Sequence, residues 1–388
     1  EGSLVTLKEY GLMELVAENC TELESLDLSH NLIETVPEEL GNCGSLKRLI
    51  LSHNRLKKIF EGCARLNNLI ELDISGNQIE KVPDKMFETL EELRVLNLND
   101  NSLKTLGGEF QTLTKLNELM ISGNYFEEIP WQIYKLNLLR KLHAARNEIS
   151  HLPRNKFTGA PEIGKLERLE DLDISNNQFS EIGNEIGECK HLRRLVVSSN
   201  RIVVLPKSLA NCRKLEVLDI SENAIREIPC SLVENLGSLL EFYASRNDIT
   251  TLPSELNGLI KLKNLRLDMN RIREISDSFG SSLSSIRELE IRGNEITKLP
   301  RGISGLTGLT TLCLSPNKLK HLPATVGCLE QLTRLDVSHN ELTSIDSKAL
   351  PPKLRYLDLS HNSLESLAEE IGRLENLIEL RLDHNKLN

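Results

Sequence analysis

The sequence predicts an α/β solenoid, a curved horseshoe with a parallel β-sheet on its concave face and short helical or 3-10 segments on its convex face. Three observations predict it. A Leu-x-Leu-x-x-Asn-x-Leu pattern returns at a nearly fixed period along all 388 residues. Within each copy the leucines alternate as a half-buried strand does. A Val/Ile/Leu-Pro doublet then follows at a fixed step in nine copies, beginning with Val36-Pro37.

The first element of each copy is the strand. In Leu23-x-x-Leu26-x-Leu28, Leu26 and Leu28 alternate with polar residues, so one face is buried and the other wet. Strands from successive copies are expected to stack in parallel, roughly 4.8 Å apart. Asn31 follows in a tight turn. Its amide is suited to bond the backbone groups that the turn leaves unpaired, and stacked copies would form an asparagine ladder. Ile33 and Val36 then return to the core, and Leu40 and Cys43 follow on the outer segment. Pro37 fits the first turn of a short helix or 3-10 segment there.

The ladder position is occupied at 31, 54, 77, 101, 124, 147, 177, 200, 223, 247, 270, 294, 317, 340, 362 and 385. No single copy can bury its own leucines, so neighbours must cover them and stability is nearly one-dimensional. The expected organisation is therefore one array over residues 1–388, of about 16 or 17 copies, with residues 1–22 a degenerate first copy in which Tyr10 stands at the asparagine place. Two copies depart from the period. The 30-residue step from Asn147 to Asn177 carries seven extra residues, 154–160, expected as an outer or edge loop with Trp131 and Tyr134 packed near it. The 22-residue step from Asn340 to Asn362 replaces the outer segment with Ala349-Leu350-Pro351-Pro352, expected to be flat and extended. The array stops mid-repeat at Leu387-Asn388, so more sequence is expected beyond it.

Composition bounds the partners. The net charge is -10, whereas a non-specific nucleic-acid binder needs a basic face. The same balance disfavours an acidic membrane surface. No apolar run approaches the ~20 residues that cross a bilayer. Cysteines are eight, without clusters at the ends, which favours a reducing, cytoplasmic setting. Cys20, Cys43, Cys189 and Cys212 share one register, eleven before an asparagine. They are read as buried thiols serving as small hydrophobes, though the neighbouring pairs Cys20/Cys43 and Cys189/Cys212 fall near enough to bridge.

The unit L-x-x-L-x-L-x-x-N-x-[IL]-x-x-[IL]-P-x-x-[IL]-x-x-L, seen at Leu195–Leu215 and Leu218–Leu239, resembles the Ras-group leucine-rich repeats. That class holds the Ras–Raf scaffold proteins, the Scribble and Erbin type, the PH-domain leucine-rich phosphatases and the Roco kinases. The resemblance covers essentially the whole chain. It implies an intracellular protein-binding array, with a Ras-like GTPase or a phosphatase as partner by family analogy. It leaves open a targeting or autoinhibitory region of a larger phosphatase, kinase or cyclase, and a receptor-type recognition domain.

A binding surface is expected on the wet side of the strands, at positions seven, six, four, two and one before each asparagine. Aspartate recurs four before it, at Asp27, Asp73, Asp173, Asp219, Asp336 and Asp358. An acidic group at Glu170, Asp171, Asp173, Glu216, Asp219 and Glu222 is interrupted by Arg193 and Arg194. Arginine and tyrosine, the usual anchors of protein interfaces, concentrate in the middle of the array. The residues expected to bind are Arg193, Arg194, Asp219, Glu222, Tyr243, Arg246, Lys263, Arg266, Arg287 and Arg292. For any one of these charges the plainer reading is a solvated side chain that keeps the surface soluble.

His339, His361 and His384 occupy successive copies one before the asparagine, near Asp336, Asp358 and Asp383. Imidazoles with carboxylates suit zinc. However, Ser-His-Asn also fills this step at His30 and His53, so no metal and no cofactor are expected. No phosphate loop, nucleophile elbow or kinase motif occurs, and no enzyme activity is expected.

Overall fold

The fold rests on a motif too short to stand alone. A computed structural model describes residues 20–83, 85–152, 162–367 and 369–388. The insertion at 154–160 and nearly all of the degenerate first copy lie outside the described residues.

Among the described residues, sixteen strands of three residues each form where the Leu-x-Leu alternation falls. They divide between two compact units, residues 1–192 and 193–388. The first unit holds β1 (Ser25–Asp27), β2 (Arg48–Ile50), β3 (Glu71–Asp73), β4 (Val95–Asn97), β5 (Glu118–Met120), β6 (Lys141–His143) and β7 (Asp171–Asp173). The second holds β8 (Arg194–Val196), β9 (Val217–Asp219), β10 (Glu241–Tyr243), β11 (Asn264–Arg266), β12 (Glu288–Glu290), β13 (Thr311–Cys313), β14 (Arg334–Asp336), β15 (Tyr356–Asp358) and β16 (Glu379–Arg381). Within each unit successive strands pair in parallel, and the central residues align: Leu218 with Phe242, Phe242 with Leu265, Leu265 with Leu289. These central residues are buried while their neighbours on either side are half-exposed or exposed.

The asparagine ladder is present in both units. Asn54 donates from Nδ2 to the Leu51 carbonyl of its own turn at 3.1 Å and to Leu28 of the preceding repeat at 2.9 Å. Its Oδ1 accepts from the Ile33 amide at 3.0 Å. Asn270 repeats the set, donating to Ala244 at 2.9 Å and Leu267 at 3.0 Å and accepting from Ile249 at 3.1 Å. One side chain thus satisfies backbone groups of two repeats that would otherwise be buried without partners.

Outer segments among the described residues are short 3-10 turns, such as Glu38–Asn42 and Lys207–Asn211, and one α-helix, α1 (Cys230–Asn235). The proline sits one residue earlier than expected. Pro37, Pro206 and Pro229 are extended (ψ 144°, 135° and 133°) and precede the first turn rather than occupying it. Their fixed φ suits this position equally well, and the missing N–H costs nothing there. The 22-residue copy is not extended throughout. Ser347–Ala349 makes a short 3-10 turn whose start is capped by Asp346, which accepts from the Lys348 amide at 2.9 Å, and the extended residues Asp346 and Leu350 flank it.

Three of the four thiols of the register are buried as read, and Cys20 is half-buried. All eight cysteines are free, and Cys43, Cys189 and Cys212 are fully buried. Of the two aromatics expected to pack by the insertion, Tyr134 is buried in the core and Trp131 is exposed.

Candidate functional site

The wet face of the second unit is set by strand geometry, so each expected binding residue can be placed by its column. The aspartates four before the ladder prove to be turn formers. Asp219 accepts from the Ser221 amide at 2.9 Å. Asp336 and Asp358 accept from the amides of Ser338 and Ser360 at 3.1 and 3.0 Å, and from the two serine hydroxyls at 2.8 and 2.6 Å. Side-chain-to-backbone bonds of this kind stabilise turns, which explains why aspartate and serine recur together.

The column one before the asparagine is also structural. Its residues are left-handed, with φ 54° at Glu222, 56° at Arg246 and 55° at Met269. Glycine takes this step at Gly76, Gly123 and Gly293, again with positive φ, because it has no Cβ to clash there. Side chains that do occupy it can meet those of the same column in neighbouring repeats. Glu222 accepts from Ser199 Oγ at 2.8 Å and lies 3.7 Å from Arg246 Nε.

The structure brings five of the ten expected residues into two groups. One is Glu222 with Arg246. The other is centred on β10–β13. Tyr243 donates to Glu241 Oε2 at 2.9 Å, and the Arg266 guanidinium lies over its ring, 5.4 Å from the centroid. Arg266 also approaches Glu288 at 3.5 Å and Glu290 at 3.9 Å. Arg292 joins through its main chain, whose amide donates to Asp268 Oδ1 at 2.6 Å. Its side chain lies beside the Cys313 thiol, with Nε buried and unpartnered. The other five hold other places, Asp219 in register beside Tyr243. Arg193 pairs with Glu216, Arg194 opens β8, and Asp219 closes its turn. Lys263 and Arg287 are exposed seven residues before their asparagines, with Arg287 donating to the Ser284 carbonyl at 3.3 Å.

Asp268 is a member of this cluster that the sequence reading passed over. The signal is visible in one column. Two before the asparagine, serine stands at Ser198, Ser221, Ser245, Ser315, Ser338 and Ser360, but Asp268 and Arg292 interrupt the run. Burial pushes the Asp268 carboxyl up to about 6, against the Arg292 amide that lowers it, and the neighbouring Glu290 adds to the rise.

A family model described as leucine rich repeat matches residues 15–66, 67–126 and 330–387, and a second, described as leucine-rich repeat region, matches 156–291. The chain is a leucine-rich-repeat protein. The second match spans β7 to β12 and all but the last of the candidate residues. Among solved structures, this leucine-rich-repeat chain is similar to a Leptospira interrogans leucine-rich-repeat protein. That pair is 28% identical over 96% of this chain and 98% of the other, with a TM-score of 0.81. It is 26% identical to the ectodomain of the plant receptor kinase GASSHO1/SCHENGEN3 from Arabidopsis thaliana, with a TM-score of 0.63. There 97% of this chain is covered but only 52% of the ectodomain, so the chain spans about half its length. The functional domain of InlJ from Listeria monocytogenes shares the fold, at 24% identity over 94% of this chain and 74% of the other, with a TM-score of 0.77. A search of the curated proteins finds no match. No helix among the described residues is long and apolar enough to cross a membrane.

Proposed function

We infer that this chain is a protein-binding scaffold whose partner docks on the wet face of β9–β13. One observation carries the reading. On β10–β13 of that face the repeating Asp–Ser turn chemistry gives way to a connected aromatic and charged cluster: Tyr243, Arg266, Asp268, Glu290 and Arg292. A rigid tyrosine under an arginine is the pairing that anchors protein interfaces. The Ras-group resemblance supports a folded signalling protein as partner, with a Ras-like GTPase or a phosphatase as its class. The eight free thiols support a reducing, cytoplasmic setting.

The test compares the whole chain with a Tyr243→Ala, Arg246→Glu, Arg266→Glu variant as bait. Arg292 is spared because its side chain packs beside Cys313. A partner lost by the variant, and re-measured with purified protein, is the expected result. Partners retained at equal affinity would place the binding surface elsewhere.

A second reading is favoured by the similarity to the GASSHO1/SCHENGEN3 ectodomain, which was solved in complex with Casparian strip integrity factor 2. The plant peptide hormone receptor RGFR1, solved in complex with RGF2, is a further neighbour, 25% identical with a TM-score of 0.55, and on this reading the same face would take an extended peptide. A partner that binds equally well as an isolated segment supports this reading, and one that binds only when folded supports the scaffold.

A further inference from the structure

Histidine fills the step before the ladder asparagine five times. In the second unit three successive rings stack. His339 and His361 lie 4.0 Å apart at 11° from parallel, and His361 and His384 lie 4.0 Å apart at 12°. In the first unit His30 and His53 stack at 4.4 Å and 14°. The repeat itself explains the stacking, since each ring leaves the same left-handed backbone at the same step. Stacking therefore marks no site.

The distinguishing residue is the carboxylate beside the last ring. In the repeats of His339 and His361 the aspartates are Asp336 and Asp358, and both are committed to their serines. The repeat of His384 reverses this order. Arg381 stands four before the asparagine and Asp383 two before it. With no serine to hold it, Asp383 turns toward the histidines. Its Oδ2 lies 3.0 Å from His384 Nδ1 and 3.8 Å from His361 Nε2. The three donor atoms fall within 4.8 Å of one another. The His30–His53 pair has serine at the corresponding steps, Ser29 and Ser52.

We propose that His361, Asp383 and His384 bind a divalent transition-metal ion of the zinc class. Two imidazole nitrogens and a carboxylate oxygen are the donors such ions take in preference to calcium or magnesium. Bond lengths of about 2.0–2.2 Å put tetrahedral donors roughly 3.3 Å apart, and the two distances to Asp383 bracket that spacing. The lone pairs of parallel rings do not converge, so one ring must turn about χ2. That torsion is broad for histidine, and both rings reach solvent, with side chains 37% and 67% exposed. Water completes the shell.

The test titrates the whole chain with Co2+, read by visible absorption, and with Zn2+, read by calorimetry. The exposed thiols of Cys230 and Cys328 are alkylated first so that they do not compete. One equivalent should bind without a thiolate charge-transfer band. His361→Gln and His384→Gln should each weaken binding by about tenfold or more, Asp383→Asn should weaken it also, and His53→Gln should leave it unchanged. All four changes are on the surface, so an unaltered melting profile verifies folding. The proposal is overturned if His53→Gln is as damaging as His384→Gln. It is equally overturned if the His361→Gln, His384→Gln double variant binds like the parent chain, or if the parent chain binds no Zn2+.

Discussion

A single asparagine amide holds together two repeats, and that makes the ladder the most sensitive polar position in the chain. Asn270 is buried and closes bonds to Ala244, Leu267 and Ile249. Asn270→Ala would leave these backbone groups buried without partners, each at about 1–3 kcal/mol. We expect a loss of roughly 3 kcal/mol or more, read as a lower urea midpoint. The preceding step is sensitive for a different reason. Gly123 has φ 65°, and a Cβ there would collide with Asp100 Oδ1. The left-handed conformation itself costs a side chain about 1–2 kcal/mol, most for a β-branched one. Gly123→Val should therefore destabilise clearly more than Gly123→Asn in the same melt. Equal losses would mean that the Asp100 contact, not the backbone, decides.

At the scale of the strand and its turn, the Leu-x-Leu-x-x-Asn element was legible because burial alternates with period two and no other pattern satisfies it. Strand positions, parallel stacking and the ladder bonds all follow from that alternation. The wet face was legible only as a set of columns. Its recurrent aspartates looked like binding residues, but their partner is the serine two residues on, a local bond that the strand period does not report. Left-handed backbone was equally hidden, since His30, Arg146 and Glu222 share φ near 55° without sharing chemistry. What could have been read is the break in the serine run at Asp268 and Arg292. That break carries a pH signature. The folded state keeps a proton on Asp268 up to about pH 6, whereas an unfolded aspartate releases it near 3.9. Between about pH 4 and 6 the folded state binds more protons, so this group makes stability fall as pH rises. Asp268→Asn removes the effect, and the variant should gain on the parent chain between pH 4 and 7, by at most roughly 3 kcal/mol. Urea midpoints across that range check it, and parallel pH profiles would deny Asp268 the role.

At the scale of the whole molecule, stability must come from neighbours, because three-residue strands and five-residue turns cannot enclose a core. The central leucines of β14 and β15 make the point within one unit. Leu335 and Leu357, each with a paired strand on both sides, are 0% exposed, whereas Ile260 of the same unit is 56% exposed. Removing a fully buried leucine costs about 2–5 kcal/mol, from lost transfer energy and the cavity left behind. Removing an apolar side chain already in contact with water loses less of the first and leaves no closed cavity. Leu357→Ala should therefore destabilise this 388-residue chain at least twice as much as Ile260→Ala. The loss should also be local, as a near one-dimensional stack requires. Amide exchange should accelerate most in β14–β16 and least in β8–β10 of the same unit. If Leu357→Ala instead raises exchange evenly from β8 to β16, the unit unfolds as one cooperative block, and nearest-neighbour coupling within it is stronger than the thin core suggests.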